Sequence, residues 1–150
     1  MQPELLTTTA VAALCRRDKT QIYEVFDTPP CQCWLPEKAP IGEPRRFNER
    51  QALLMMLLSD LSRWGLSIPF AGRVVTRIAE TLCEYPDAEV FTISFRENGA
   101  SFFIAADNRD ADLASEDSRA GPVRFRVVFE LSTYRDAISA ALSEVEDVAA

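Results

Sequence analysis

Histidine is missing from the 150-residue chain. That removes the side chain that titrates nearest neutral pH, and with it histidine-based triads and imidazole metal sites. Glycine is scarce, at five residues, and no glycine-rich loop of the kind that cradles phosphate is present. No apolar run approaches the ~18–20 residues that cross a bilayer. The opening "MQPELLTTTA" also lacks a basic segment followed by an apolar one. The expectation is a cytoplasmic, soluble protein with no membrane partner. Asp and Glu are scattered rather than set in a spaced pair, so neither an enzyme nor a cofactor is expected.

Cysteine is sparse, at positions 15, 31, 33 and 83. Only Cys31 and Cys33 are close, in a C-x-C spacing that suits zinc less well than C-x-x-C. A four-thiolate site would require Cys15 and Cys83 to converge on that pair. The competing reading, reduced thiols serving as small buried hydrophobes, is preferred, and no metal is expected.

What the chain does have is enough apolar residue content, 47 %, for a packed core. Its net charge of −7 is unevenly spread. Residues 1–85 carry 10 acidic and 10 basic side chains, whereas residues 86–150 carry 13 and 6. An acidic total argues against nucleic acid, but the front part taken alone is balanced.

In that front part, "TTAVAAL" makes a two-turn helix with Val11 and Leu14 on its apolar face. "DKTQIYEVFD" follows across the turn "CRR", with Asp18 as cap and Ile22, Val25 and Phe26 on the buried side. Ala12 and Ile22 stand ten residues apart, the separation at which a helix-turn-helix packs a small residue under its second helix. The outer face then holds Thr20, Tyr23, Glu24 and Asp27, flanked by Lys19 and Gln21. Residues 28–46 contain five prolines and form a loop, the place of a wing, that ends in Arg45 and Arg46. Trp34 is read as packing within it. A capping box, Asn48 with Gln51, opens a core helix burying Leu54, Leu57, Leu58 and Leu61. Gly65 stops it, Ser67 caps the next helix, and Ile68, Ala71, Val75, Ile78 and Leu82 form that helix's apolar stripe up to Pro86.

The order across residues 7–83, a helix pair, a loop ending in "RRF", the helix "NERQALLMMLLSDLSRWG" and then "LSIPFAGRVV", resembles the DNA-binding domain of the MerR family. The resemblance implies a winged helix-turn-helix. "DKTQIYEVFD" would be its recognition helix in the major groove, "EPRRF" the end of the wing on the backbone, and Arg63 and Arg73 would lie near a supporting corner. The chain departs from the family by carrying Arg16 where glycine is common and by having Tyr23 and Phe26 for the usual paired tyrosines.

The remainder reads differently. "AEVFTISFRENGASFFIAAD" alternates about Asn98–Gly99, a hairpin dipeptide, with Phe95 opposite Phe102, Ile93 opposite Ile104 and Phe91 opposite Ala106. A strand over 123–131 places Val123, Phe125, Val127, Phe129 and Leu131 on one side, with Arg124, Arg126 and Glu130 on the other. A helix capped by Ser132 covers that face with Ala137, Ile138, Ala141, Leu142 and Val145. Between hairpin and strand, "DNRDADLASEDSRAG" reads as a solvated acidic loop or, alternatively, a docking segment for a basic protein partner.

The expected fold is α+β. A MerR-like winged helix-turn-helix domain spans 1–85, and a β-β-β-α unit over 86–150 serves dimerisation or partner binding. The leading functional expectation is a sequence-specific, dimeric transcriptional regulator of double-stranded DNA. Arg16, Arg17, Arg45 and Arg46 would hold phosphate, with Lys19, Thr20, Gln21 and Tyr23 on the reading helix and Gln21 as the base reader. The alternative is a protein-interaction adaptor that keeps the scaffold without binding DNA.

Overall fold

The computed structural model describes residues 5–37, 39–43, 45–96, 102–107 and 122–149, the last five by backbone alone. Helices begin where a side chain can satisfy the orphan amides of the first turn. In α1 (Thr8–Cys15), the Thr7 hydroxyl accepts from the Ala10 amide at 3.1 Å. α2 (Lys19–Phe26) follows Asp18, whose amide donates to Gln21 Oε1 at 3.0 Å. α3 (Glu49–Arg63) carries the reciprocal box: the Asn48 amide donates to Gln51 Oε1 at 2.9 Å, and the Gln51 amide to Asn48 Oδ1 at 2.8 Å.

Gly65 then adopts φ 101°, and the Leu66 amide donates back to the Leu61 carbonyl at 3.2 Å, closing α3 with a left-handed stop. The Ser67 hydroxyl meets the Phe70 amide at 3.4 Å, and α4 (Ile68–Glu84) runs on with Pro69 in its first turn. The corner expected between residues 61 and 75 is therefore present with its expected devices.

The fold is α+β. Two short strands, β1 (Leu6–Thr7) and β2 (Arg46–Phe47), pair antiparallel with Leu6 opposite Phe47. A second sheet is antiparallel in the order β4-β3-β5, from β3 (Val90–Arg96), β4 (Phe102–Ala106) and β5 (Val123–Glu130). The C-terminal helix α5 (Leu131–Ala149) follows directly. The chain divides into two compact units within α4: one runs to Thr76 and resumes at Tyr134, and the other is Arg77–Thr133. Pro86, the border expected from the sequence, follows the end of α4.

In the first unit the core is built on the α3 stripe. Leu54, Leu57 and Leu61 are fully buried and Leu58 nearly so, together with Leu6, Val11, Ile22 and Phe47. α4 contributes Ala71 and Val75 as expected, with Val74 added, while Ile68 stays half-buried at the helix start. The proline-rich loop is more deeply packed than a wing. Pro29–Cys31 forms a single 3-10 turn, and Cys31, Trp34 and Leu35 are buried. No strand precedes Arg46 among its described residues. The projecting part is the turn Pro40–Glu43, closed by the Glu43 amide on the Pro40 carbonyl at 3.0 Å, with Ile41 fully exposed. The 3-10 turn seats on α4: Thr76 Oγ1 donates to the Pro30 carbonyl, and a Cβ on Gly72 would lie 2.8 Å from Cys31 Sγ.

In the second unit the sheet register is the expected one. Phe91 pairs with Ala106, Ile93 with Ile104 and Phe95 with Phe102, while Phe129, Val127 and Phe125 flank β3 on its other side. The Asn98–Gly99 turn and residues 108–121 of the acidic loop lie outside the described residues. Asp107 is described: it takes φ 51° and its Oδ1 accepts from the Glu89 and Val90 amides, both at 3.0 Å.

Two expectations at the end of the sheet need correction. A bulge between Phe95 and Arg96 sets Val123 opposite Arg96 and out of the apolar row, while Phe125 stays opposite Phe95, its ring stacked 4.6 Å away, and is 53 % exposed. The third strand ends at Glu130 and the helix starts at once, with Ser132 inside it rather than capping it. The Leu131 amide still completes the ladder by donating to the Glu89 carbonyl at 2.9 Å, leaving no residue for a linker.

Gly72→Ala is expected to cost about 1–3 kcal/mol by overpacking against Cys31. Urea unfolding of Gly72→Ala, Cys31→Ala and the double variant measures the coupling. The loss from Gly72→Ala should shrink once Sγ is removed; an equal loss in both backgrounds would contradict the contact.

Candidate nucleic-acid interface

A helix of eight residues can bury only one stripe, and in α2 that stripe is Ile22, Val25 and Phe26. Ala12 on α1 and Ile22 on α2 are both buried, at 5 % and 1 % exposure. Lys19, Thr20, Gln21, Tyr23, Glu24 and Asp27 are consequently exposed, as the ten-residue spacing predicted. Tyr23 keeps 49 % of its surface in solvent.

The turn between α1 and α2 is held by its backbone. Arg16 takes φ 53° and ψ 47°, the left-handed conformation that a β-carbon disfavours. Its amide donates to the Ala13 carbonyl at 3.1 Å, and the Arg17 amide to the Ala12 carbonyl at 2.9 Å. Glycine would accept such a φ without cost. Here the turn gains a second fastening from α3. Arg63 Nη2 donates to the Cys15 carbonyl and, at 2.8 Å, to the Arg16 carbonyl. The same guanidinium meets Asp60 Oδ1 at 3.2 Å, and Asp60 Oδ2 accepts from the Tyr134 hydroxyl at 2.6 Å. Burial, then the bond to Asp60, pushes the Tyr134 hydroxyl well above the usual phenol range.

The basic side chains named from the sequence separate into two groups. Arg16, Lys19 and Arg46 are exposed, with Arg46 set in β2 opposite Thr7. Arg45 lays its guanidinium 3.8 Å from the centroid of the Phe26 ring, which itself lies 6.2 Å from Tyr23 and 5.9 Å from Phe47. The end of the proline-rich loop is thereby joined to α2. Arg17 instead turns inward, where Nη2 donates to the Ser59 carbonyl at 3.2 Å and Nε is buried without a hydrogen-bond partner. Gln21 spends its amide oxygen on the Asp18 cap, so addressing the donor and acceptor of adenine together requires releasing that bond.

Arg63, Asp60 and Tyr134 escaped assignment as a network from sequence. The family resemblance sets Arg63 near a corner, but 74 residues separate Tyr134 from Asp60, and no periodicity links them. Arg73 is exposed, with its guanidinium 5.9 Å from the Phe70 ring.

The cysteines do not assemble a site. Among the described residues no group of three or more Cys, Asp or Glu is arranged to hold a metal ion. Cys15 and Cys31 are buried, and Cys33 and Cys83 exposed. Burial pushes the Cys15 thiol up to about 11, against a smaller downward pull from its bond with Ser59. Burial and the neighbouring Cys33 raise Cys31 to about 11 as well.

No protein-family model matches the chain, and no curated protein matches it. Among the described residues no helix is long and apolar enough to cross a membrane.

The turn and the thiols yield two tests. Arg16→Gly should raise stability by about 1 kcal/mol by relieving the left-handed backbone, whereas Arg63→Ala should lower it by about 1.5–3 kcal/mol by stripping a charged donor from two carbonyls. Chemical denaturation distinguishes these from no change in either. The raised thiols keep the folded state protonated while unfolded thiols ionise from about 9.0 upward. Stability should therefore fall as pH rises from about 9 to about 11. Cys15→Ser should flatten that fall in the urea midpoint, and an unaltered pH profile would exclude Cys15 as its source.

Proposed function

We propose that the chain is a sequence-specific DNA-binding protein, a transcriptional regulator that reads the major groove with residues 18–27 on a MerR-like winged helix-turn-helix. The observation that carries the reading is the exposed face of α2, bordered by Arg16 at its leading end and by Arg45 stacked on Phe26 at its trailing end. Charged groups that flank a projecting helix suit phosphates on either side of a groove, while the helix face meets base edges.

The roles in this proposal follow from which side chains are exposed. Arg16, Lys19, Arg45 and Arg46 are the phosphate ligands in this proposal, and Thr20 and Tyr23 the base contacts. Arg17 and Gln21 position the turn and the cap. Double-stranded DNA in the cytoplasm is the partner, and two copies of the chain present two reading helices to one site.

The second reading, a protein-interaction adaptor without DNA activity, is favoured by Glu24 and Asp27, which are exposed on the same helix and would repel phosphate. Fluorescence anisotropy with random duplex at two salt concentrations separates the two. DNA binding predicts affinity that falls with salt. Arg46→Ala should flatten the slope of log K against log salt by about 0.9, the share of one phosphate contact. Gln21→Ala should weaken binding evenly across sequences, through the lost cap, without altering preference. Absence of binding even at low salt would favour the adaptor.

A further inference from the structure

We propose that β5 is the dimer interface, and that two copies of the chain join their β5 strands edge to edge about a two-fold axis through Val128.

The direction of the backbone groups on β5 follows from the ladder. In an antiparallel pair, alternate residues exchange both amide–carbonyl bonds with their partner, while the residues between turn theirs to the other side. The Leu131 amide donates to the Glu89 carbonyl at 2.9 Å, which makes that an exchanging pair. By the register, Phe91–Phe129, Ile93–Val127 and Phe95–Phe125 are then also exchanging pairs. The Asp107 amide donating to the Val90 carbonyl at 2.9 Å agrees, because it turns the even-numbered residues of β3 toward β4. The backbone groups of Arg126, Val128 and Glu130 consequently point away from β3. With the strand order β4-β3-β5, no strand among the described residues pairs with that side of β5.

A long strand with a free row of donors and acceptors is a template for further pairing. The side chains beside this row make it self-complementary. Arg126, Val128 and Glu130 share one face and are exposed, Val128 to 52 %; Arg126 Nε donates to Ser94 Oγ at 3.1 Å, so the Nη groups are the ones that would meet Glu130 of the second copy. Centred on Val128, an isologous antiparallel pairing sets this valine against its own copy and brings Arg126 opposite Glu130 of the second copy on both sides. Moving the axis to Arg126 would instead oppose two like charges. The Val128 register also lies wholly beyond the bulge at Phe95 and Arg96, on regular ladder. A closed dimer of this kind joins two three-stranded sheets into one.

Sedimentation equilibrium tests this without DNA, so its result stands apart from that of the DNA-binding reading. The native chain should be a dimer. Val128→Pro removes an amide that points away from β3, leaving the inner ladder intact, and should yield a folded monomer by circular dichroism. Arg126→Glu sets Glu against Glu130 of the second copy and should raise the dimer Kd at least about tenfold, and Arg126→Glu with Glu130→Arg should restore it. The charge pair decides the matter if the proline variant fails to fold. A monomeric native chain, a dimer as tight with Arg126→Glu as without it, or a charge swap that restores nothing would overturn the proposal.

Discussion

The Arg63 guanidinium is the constraint on which the presentation of α2 depends. A helix-turn-helix can project its second helix only if the turn before it is rigid. In this chain the turn passes through a non-glycine residue in the left-handed region. Arg63 offsets that cost by donating to the carbonyls of Cys15 and Arg16, which would otherwise end α1 unsatisfied. Its own geometry is set by Asp60, and Asp60 is set by the Tyr134 hydroxyl. A charged donor at two orphan carbonyls does the work that glycine would do by being permissive, and it leaves Arg16 in place as an exposed cation.

The charge around α2 bears on the proposed contact with DNA. The excess of carboxylates falls in residues 86–150, whereas residues 1–85 carry 10 acidic and 10 basic side chains. Locally, Glu24 and Asp27 oppose Arg16, Lys19, Arg45 and Arg46. Carboxylates on a reading helix lower non-specific affinity, so discrimination in the proposed role would rest on base contacts more than on phosphate attraction.

Much of the architecture was legible because its causes are local. The Asn48–Gln51 box, the stop at Gly65, the Ser67 cap and the pairing of Phe95 with Phe102 each follow from residues close in sequence or from a period of two. What was not legible depends on distant partners. Proline content implies a loop over 28–46 and Trp34 reads as packed, but only the seating of the 3-10 turn on Gly72 and Thr76 shows that Cys31 lies inside while the Pro40–Glu43 turn projects. That Arg17 donates to the Ser59 carbonyl, and that Gln21 Oε1 accepts from the Asp18 amide, is visible only in the folded chain. The bulge between Phe95 and Arg96 has no glycine to announce it.

The central claim is that the outward side chains of α2 choose a DNA sequence. Selection from a pool of randomised duplexes tests it most directly, run in parallel on the native chain and on a Thr20→Ala, Tyr23→Ala variant. The account predicts one enriched motif for the native chain and an altered or relaxed one for the variant. Enrichment of no motif, or of the same motif by both proteins, would contradict it.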